Sequence, residues 1–314
     1  LEPPLLHRRD RVATITVTGT TASSFLTVYP SGSAKPTASN LNWDAGQTVP
    51  NAVTVKVGAG GTVDVFNNSG NANVIIDVVG YYDSVAGDGY SALPAPIRVL
   101  DSRPAPEQVG PYGTPWTPGL SRDVTVAGTA GVPADADAVV LNATVTGATA
   151  ESFLTIWPKG ATRPTASSLN FRAGQTVPNA VTAKVGTGGV VQVFNNSGNV
   201  NVIFDVVGYF KAGTGDAFYP ISPVRIQDSR PAPEKVGAYG TPWNAGTDRP
   251  VAVTGVGGVP ASARAVLANV TVTGATAESF LTVYPAGASK PTSSTHNWKA
   301  NVTIANAVTA KVGT

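Results

Sequence analysis

Two histidines, His7 and His296, occur in the chain, and neither recurs at a matching position. A Ser-His-Asp site needs an imidazole held by an orienting acid, so one-off histidines in a repetitive sequence point to incidental placement. Cysteine is absent, which removes thiolate nucleophiles, disulfides and thiolate metal ligands. Zinc sites draw several His, Cys or carboxylate ligands from close spacing, and the sequence has no such cluster. Nothing in it asks for a metal or a cofactor. Carboxylates do recur: Asp101, Glu107, Glu151 and Asp205 occupy slots that repeat along the chain. Two of them on facing strands would be the remaining route to hydrolysis. An active site repeated along one chain is uncommon, and the expectation is a protein that is not an enzyme.

Asp77 and Asp205 lie inside apolar runs, VIIDVVGYY (74–82) and VIFDVVGYF (202–210). A carboxylate among such residues is costly to bury unless it is paired or hydrogen-bonded. Arg98 or Arg103, and Arg225 or Arg230, are the natural partners, because a guanidinium fork matches a carboxylate. This reads as a structural clamp, with the choice of arginine left open. A sharper alternative is a covalent Lys–Asp crosslink, since Lys56, Lys184 and Lys311 share one slot on a neighbouring strand; alternation turns them toward solvent. The loop VGPYGTPWTPG (109–119) and its copy VGAYGTPWNAG (236–246) carry the best binding candidates. Tyr112, Trp116, Tyr239 and Trp243 offer aromatic faces suited to stacking on sugars. The competing reading is that Trp116 folds back and plugs the end of its domain.

These residues are placed by a repeat. GATAESFLT at 147–155 recurs letter for letter at 274–282, with GTTASSFLT at 19–27, a period of 127 to 128 residues. DSRPAPE (101–107) recurs at 228–234, YGTPW (112–116) at 239–243, GQTVPNAVT (46–54) at 174–182, and FNNSGN (66–71) at 194–199. Such a period is the size of a domain rather than of a solenoid coil, which predicts domains strung like beads. The divisions fall at 1–93, with an atypical tail at 1–11, then 94–215 and 216–314. Only the middle segment holds every motif.

Within it, about eight short β-branched segments are separated by Gly, Pro and Asn turns. They run from Ile97–Arg103 to Val200–Phe210, the last apolar on both faces and therefore central. No segment has a helical period with caps. The expectation is all-β: tandem β-sandwiches, with a jelly roll as one arrangement. The Asn-Asn-Ser-Gly segments at 67–70 and 195–198 read as turns.

The succession R-x-x-D-S-R, G-V-P, L-N-x-T-V-T, F-L-T-x-Y/W-P, L-N-F/W, V-x-N-x-V and D-V-V-G-Y-F resembles a repeat of secreted, actinobacterial-type surface proteins. The resemblance covers nearly all of the chain after residue 11. It implies an extracellular location and no catalytic residue. Charged residues are 13% of the chain, about half the usual share, which leaves Thr, Ser, Asn, Gly and Ala to cover the surface. The net charge is +2, and no basic stripe suits nucleic acid. No apolar run is long enough to span a membrane. Two functions follow as expectations. One is a stalk, fibre or surface-assembly component whose partners are copies of itself. The other is a multivalent binder of surface polysaccharide.

Overall fold

Alternating β-branched residues, punctuated every few positions by glycine, proline and asparagine, leave the chain few options besides short strands. The computed structural model describes residues 10–36, 39–82, 88–219 and 224–313. His7 and the tail through residue 9 lie outside the described residues. The first repeat supplies β1 (Asp10–Thr18), β2 (Ser24–Pro30), β3 (Leu41–Trp43), β4 (Val49–Val55), β5 (Val63–Asn67) and β6 (Asn73–Tyr82). The middle repeat supplies β7 (Asp88–Asp101), β8 (Ser121–Thr125), β9 (Ala138–Thr146), β10 (Ser152–Pro158), β11 (Leu169–Phe171), β12 (Val177–Lys184), β13 (Val190–Asn195) and β14 (Asn201–Ala212). The third supplies β15 (Ala265–Val272), β16 (Ser279–Leu281), β17 (His296–Trp298) and β18 (Ile304–Lys311). The described residues contain no α-helix, and the protein is all-β.

The middle repeat is a sandwich of two four-stranded sheets, ordered β7-β14-β9-β12 and β8-β13-β10-β11. Successive strands change sheet at every step except β10 to β11, a hairpin within one sheet, and every described pairing is antiparallel. Counted from β7, the orders are first-eighth-third-sixth and second-seventh-fourth-fifth, which is the double Greek key of a jelly roll. Inward residues of both sheets, among them Leu100, Leu141, Leu154, Leu169, Val193 and Phe204, form one core. β14 lies between β7 and β9, so the strand that is apolar on both faces is central, as its sequence predicts. The first repeat keeps three strands of each sheet, β4-β1-β6 and β3-β2-β5, around a smaller core of Ile15, Val17, Leu26, Leu41 and Trp43.

Two sequence expectations need correcting. The division after residue 93 cuts a strand: β7 begins at Asp88, and Asp88–Ala92 pair with Gly208–Ala212 of β14. Pro94 and Pro96 suggest a linker, yet they sit in an edge strand at a register shift, where a missing N–H is tolerated. The repeats also do not stand apart as beads. The sheet-edge strands β4, β12 and β18 contact one another, β4 meets β11, β12 meets β17, and β18 meets β3. The three units thus close in a ring, each packing its edge strand on the next. An uncovered edge is an open template for pairing, and here the neighbouring units cover it.

Candidate functional site

Asp205 reaches the interior because β14 is central, and its side chain is almost wholly buried. Its register partner on β7 is Arg98. The guanidinium Nε donates to Asp205 Oδ1 at 2.9 Å and Nη2 to Oδ2 at 3.3 Å, a two-point clamp. Nη1 of Arg98 also donates to Asp101 Oδ2 at 3.1 Å. Asp101, fully buried, further accepts from Arg103 Nε at 3.0 Å, Nη2 at 2.6 Å and backbone N–H at 3.1 Å. Two carboxylates are thus balanced by two guanidinium groups. Burial pushes the Asp205 carboxyl up, and the hydrogen bond and charge of Arg98 oppose that push. The arginine left open by the sequence is Arg98, and Arg103 serves Asp101.

The third repeat builds the same local cluster. Arg225 Nη1 lies 3.0 Å from Asp228, and Arg230 Nη2 lies 2.7 Å from it. The hydrogen bond from Arg230 is the main reason the Asp228 carboxyl falls to about 2. Asp77 of the first repeat makes no hydrogen bond or ion pair among the described residues, and partial burial raises its carboxyl. Glu107 and Glu151 are exposed.

The lysine crosslink has no geometry behind it. Lys184 is exposed and opposite Ala138, whereas Asp205 is opposite Asn142 with β9 in between. Two strand spacings and four residues of offset separate the groups by well over ~10 Å. In the complete repeat, Asp205 is already engaged by Arg98.

The YGTPW loop is a plug, which corrects its reading as a sugar platform. Trp116 is fully buried, and its indole N–H donates to Val193 O at 2.9 Å. Its backbone bridges Val200 in both directions. Tyr112 packs edge-on against it with ring centroids 5.5 Å apart and donates its hydroxyl to Asp123 O. Arg122 covers both rings, at 4.9 Å from Tyr112 and 4.6 Å from Trp116. Tyr239 and Trp243 repeat the arrangement at 5.4 Å, with Arg249 over both rings. Without a second sheet above them they stay only partly buried.

Sequence reading missed the polar residues at the centre of the ring. Asn51, Asn179 and Asn306 each stand in an edge strand and are almost wholly buried. Each donates Nδ2 within its own repeat, to Asn40 O, Ser168 O and Thr295 O respectively. The other bonds cross between repeats. Asn306 Oδ1 accepts from Ala180 N–H at 3.1 Å, and Asn51 Oδ1 accepts from Ala307 N–H at 3.0 Å. Asn51 Nδ2 donates to Asn269 Oδ1, and Asn306 Nδ2 to Asn142 Oδ1. Asn269 and Asn142 then donate to Ser39 O and Ser294 O. The third link is open. Thr14 holds the slot of Asn142 and Asn269, and Asn179 Oδ1 is buried with no hydrogen-bond partner. The available signal was an asparagine at one place in all three V-x-N-x-V or I-x-N-x-V strands, where a turn-forming residue has no turn to form.

A polar cleft of about 230 Å³ opens between the first two units, lined by Thr48, Glu151, Phe153, Asn170, Arg172 and Asn196 among others. Among the described residues no three His, Cys, Asp or Glu side chains gather as a metal site would require, and no helix is long and apolar enough to cross a membrane. The chain matches no family model, no curated protein and no solved structure.

Proposed function

We propose that the chain is a non-catalytic structural module of a secreted or cell-surface assembly, built as a compact three-unit node. The use made of its recurring polar residues carries this reading. Arg98, Arg103, Asp101 and Asp205 tie one strand to the core, and the buried asparagines tie one unit to the next. The absence of cysteine and methionine suits an oxidising exterior, and the resemblance of the motifs to secreted surface repeats points the same way. Protease shaving of intact producing cells, read by mass spectrometry, tests it. Peptides of this chain should be released while cytoplasmic markers are retained. Recovery only after lysis would overturn the reading.

A second reading, polysaccharide binding, moves away from the buried tryptophan to the inter-unit cleft, where Phe153 lies beside Glu151, Asn170 and Arg172. One aromatic among hydrogen-bonding groups is the chemistry a sugar ring needs. Retention on insoluble polysaccharide that Phe153→Ala abolishes would favour it.

A further inference from the structure

The first repeat presents a face that its counterpart in the middle repeat keeps covered. Val74, Ile76 and Val78 of β6 share one face and are exposed by 38 to 61%, whereas the matching Val202, Phe204 and Val206 of β14 are fully buried. Val65 of β5 is also exposed, while its match Val193 is fully buried. In the middle repeat β7 covers the edge of β14, and β8 covers the edge of β13. Among the described residues no strand takes these places beside β6 and β5.

The third repeat holds the matching cover, already shaped. Residues 224–253 repeat the DSR and YGTPW motifs but form no strand. Their internal contacts nevertheless copy those of 97–126. Asp228 bridges Val236 as Asp101 bridges Val109. Arg225 and Arg230 hold Asp228 as Arg98 and Arg103 hold Asp101. The hydroxyl of Tyr239 bonds Pro250 O as that of Tyr112 bonds Asp123 O.

We infer that residues 224–253 of one copy of this chain dock on β6 and β5 of a second copy, joining chains head to tail by strand complementation. The partner is set by residue-for-residue correspondence and by charge. Transferring the middle repeat's register puts Arg225 opposite Asp77, as Arg98 lies opposite Asp205. Arg98 serves Asp101 and Asp205 together, and Arg225 holds Asp228 as Arg98 holds Asp101. The same register brings Trp243 to Ala72 and aims its indole N–H at Val65 O, as Trp116 meets Val200 and Val193. The added strand satisfies the open edge of β6, and the plug buries its apolar face. Gln227 replaces the buried Leu100 and turns its amide to the backbone of Tyr239, which makes the joint weaker than the complete repeat. A head-to-tail contact of this kind joins unlike surfaces, giving a ring where the rotation between copies closes and an open chain where it does not. The inference rests on the structural reading above for its setting.

The test is the mass of the full chain by light scattering across a wide concentration range. Multiples of 31.9 kDa that grow with concentration are expected. Val78→Lys alters only an exposed position and should hold the chain at one copy with an unchanged circular dichroism spectrum. Asp77→Arg and Arg225→Asp should each be single-copy alone and associate when mixed, because the mixture restores both oppositions. A parent chain that stays at one copy at every concentration overturns the inference. So does association that persists in Val78→Lys and Asp77→Arg. Surface shaving reports separately: a surface-exposed but single-copy chain would leave the structural reading standing and remove only the joint.

Discussion

His296 occupies the slot that Leu41 and Leu169 hold in the other repeats, and it is fully buried. Its Nε2–H donates to Val270 O at 2.8 Å, and Nδ1 has no partner. Burial holds the imidazole down to about 4. Between the ordinary value of ~6.5 and that value, the unfolded chain takes up a proton that the folded chain refuses. Stability is therefore lost as pH falls through this window, by up to about 3 kcal/mol. Urea denaturation at neutral pH and near pH ~4.5 should show this loss, and His296→Leu should shrink it; an equal loss in the variant would refute the assignment. Thr14→Asn should give Asn179 Nδ2 the side-chain acceptor that Asn142 gives Asn306 and raise the melting temperature through about 1 kcal/mol of added hydrogen bonding; an unchanged or lower value would show that the slot cannot accept an amide. Arg98→Ala leaves the buried Asp205 carboxylate unpaired, while Asp101 keeps Arg103, and should cost about 3–5 kcal/mol, whereas Arg230→Ala at the exposed copy should cost under ~1 kcal/mol, both read from thermal melts. The clamp was legible because a carboxylate in an apolar strand demands a partner. The choice of Arg98 over Arg103 was not, because it depends on a register shift between Phe204 and Asp205. The asparagine centre was not legible either, since its bonds join residues 126 to 256 positions apart.

At the scale of elements, the two copies of one loop have unequal surroundings and should respond unequally. Trp116 fills the space between two four-stranded sheets, and Trp116→Ala should cost about 3–5 kcal/mol. Trp243 faces no opposing sheet in its own repeat, where β15-β18 and β16-β17 are the described pairings. Trp243→Ala in the single-copy chain should cost much less. Differential scanning calorimetry of both variants checks this, and equal losses would contradict the plug assignment. Strand existence was legible in the first two repeats from alternation and turn residues, including the NNSG turns, where Gly70 and Gly198 take positive φ, but not at 224–253, whose motifs match β7 and β8 and form no strand. The start of β7 was hidden because Pro94 and Pro96 signal a break to a reader who cannot see that the strand is an edge. The plug was equally hidden: an aromatic in a Pro/Gly-rich loop reads the same whether it turns outward or inward.

For the whole molecule, the period of 127 to 128 residues announces three similar units but says nothing of how they meet. A bead-like arrangement follows from repeat length and short connections alone. The ring depends on side chains that look unremarkable in sequence: one asparagine per edge strand, backed by Ala52, Ala180 and Ala307, which are small enough for close approach. Small-angle X-ray scattering on the single-copy Val78→Lys chain tests that closure most directly. A compact body of this length has a radius of gyration of about 20 Å, and the account predicts a value near it. Three domains in a row, each with a radius near ~13 Å, would give a value nearer ~30 Å, and that result would contradict the closed ring.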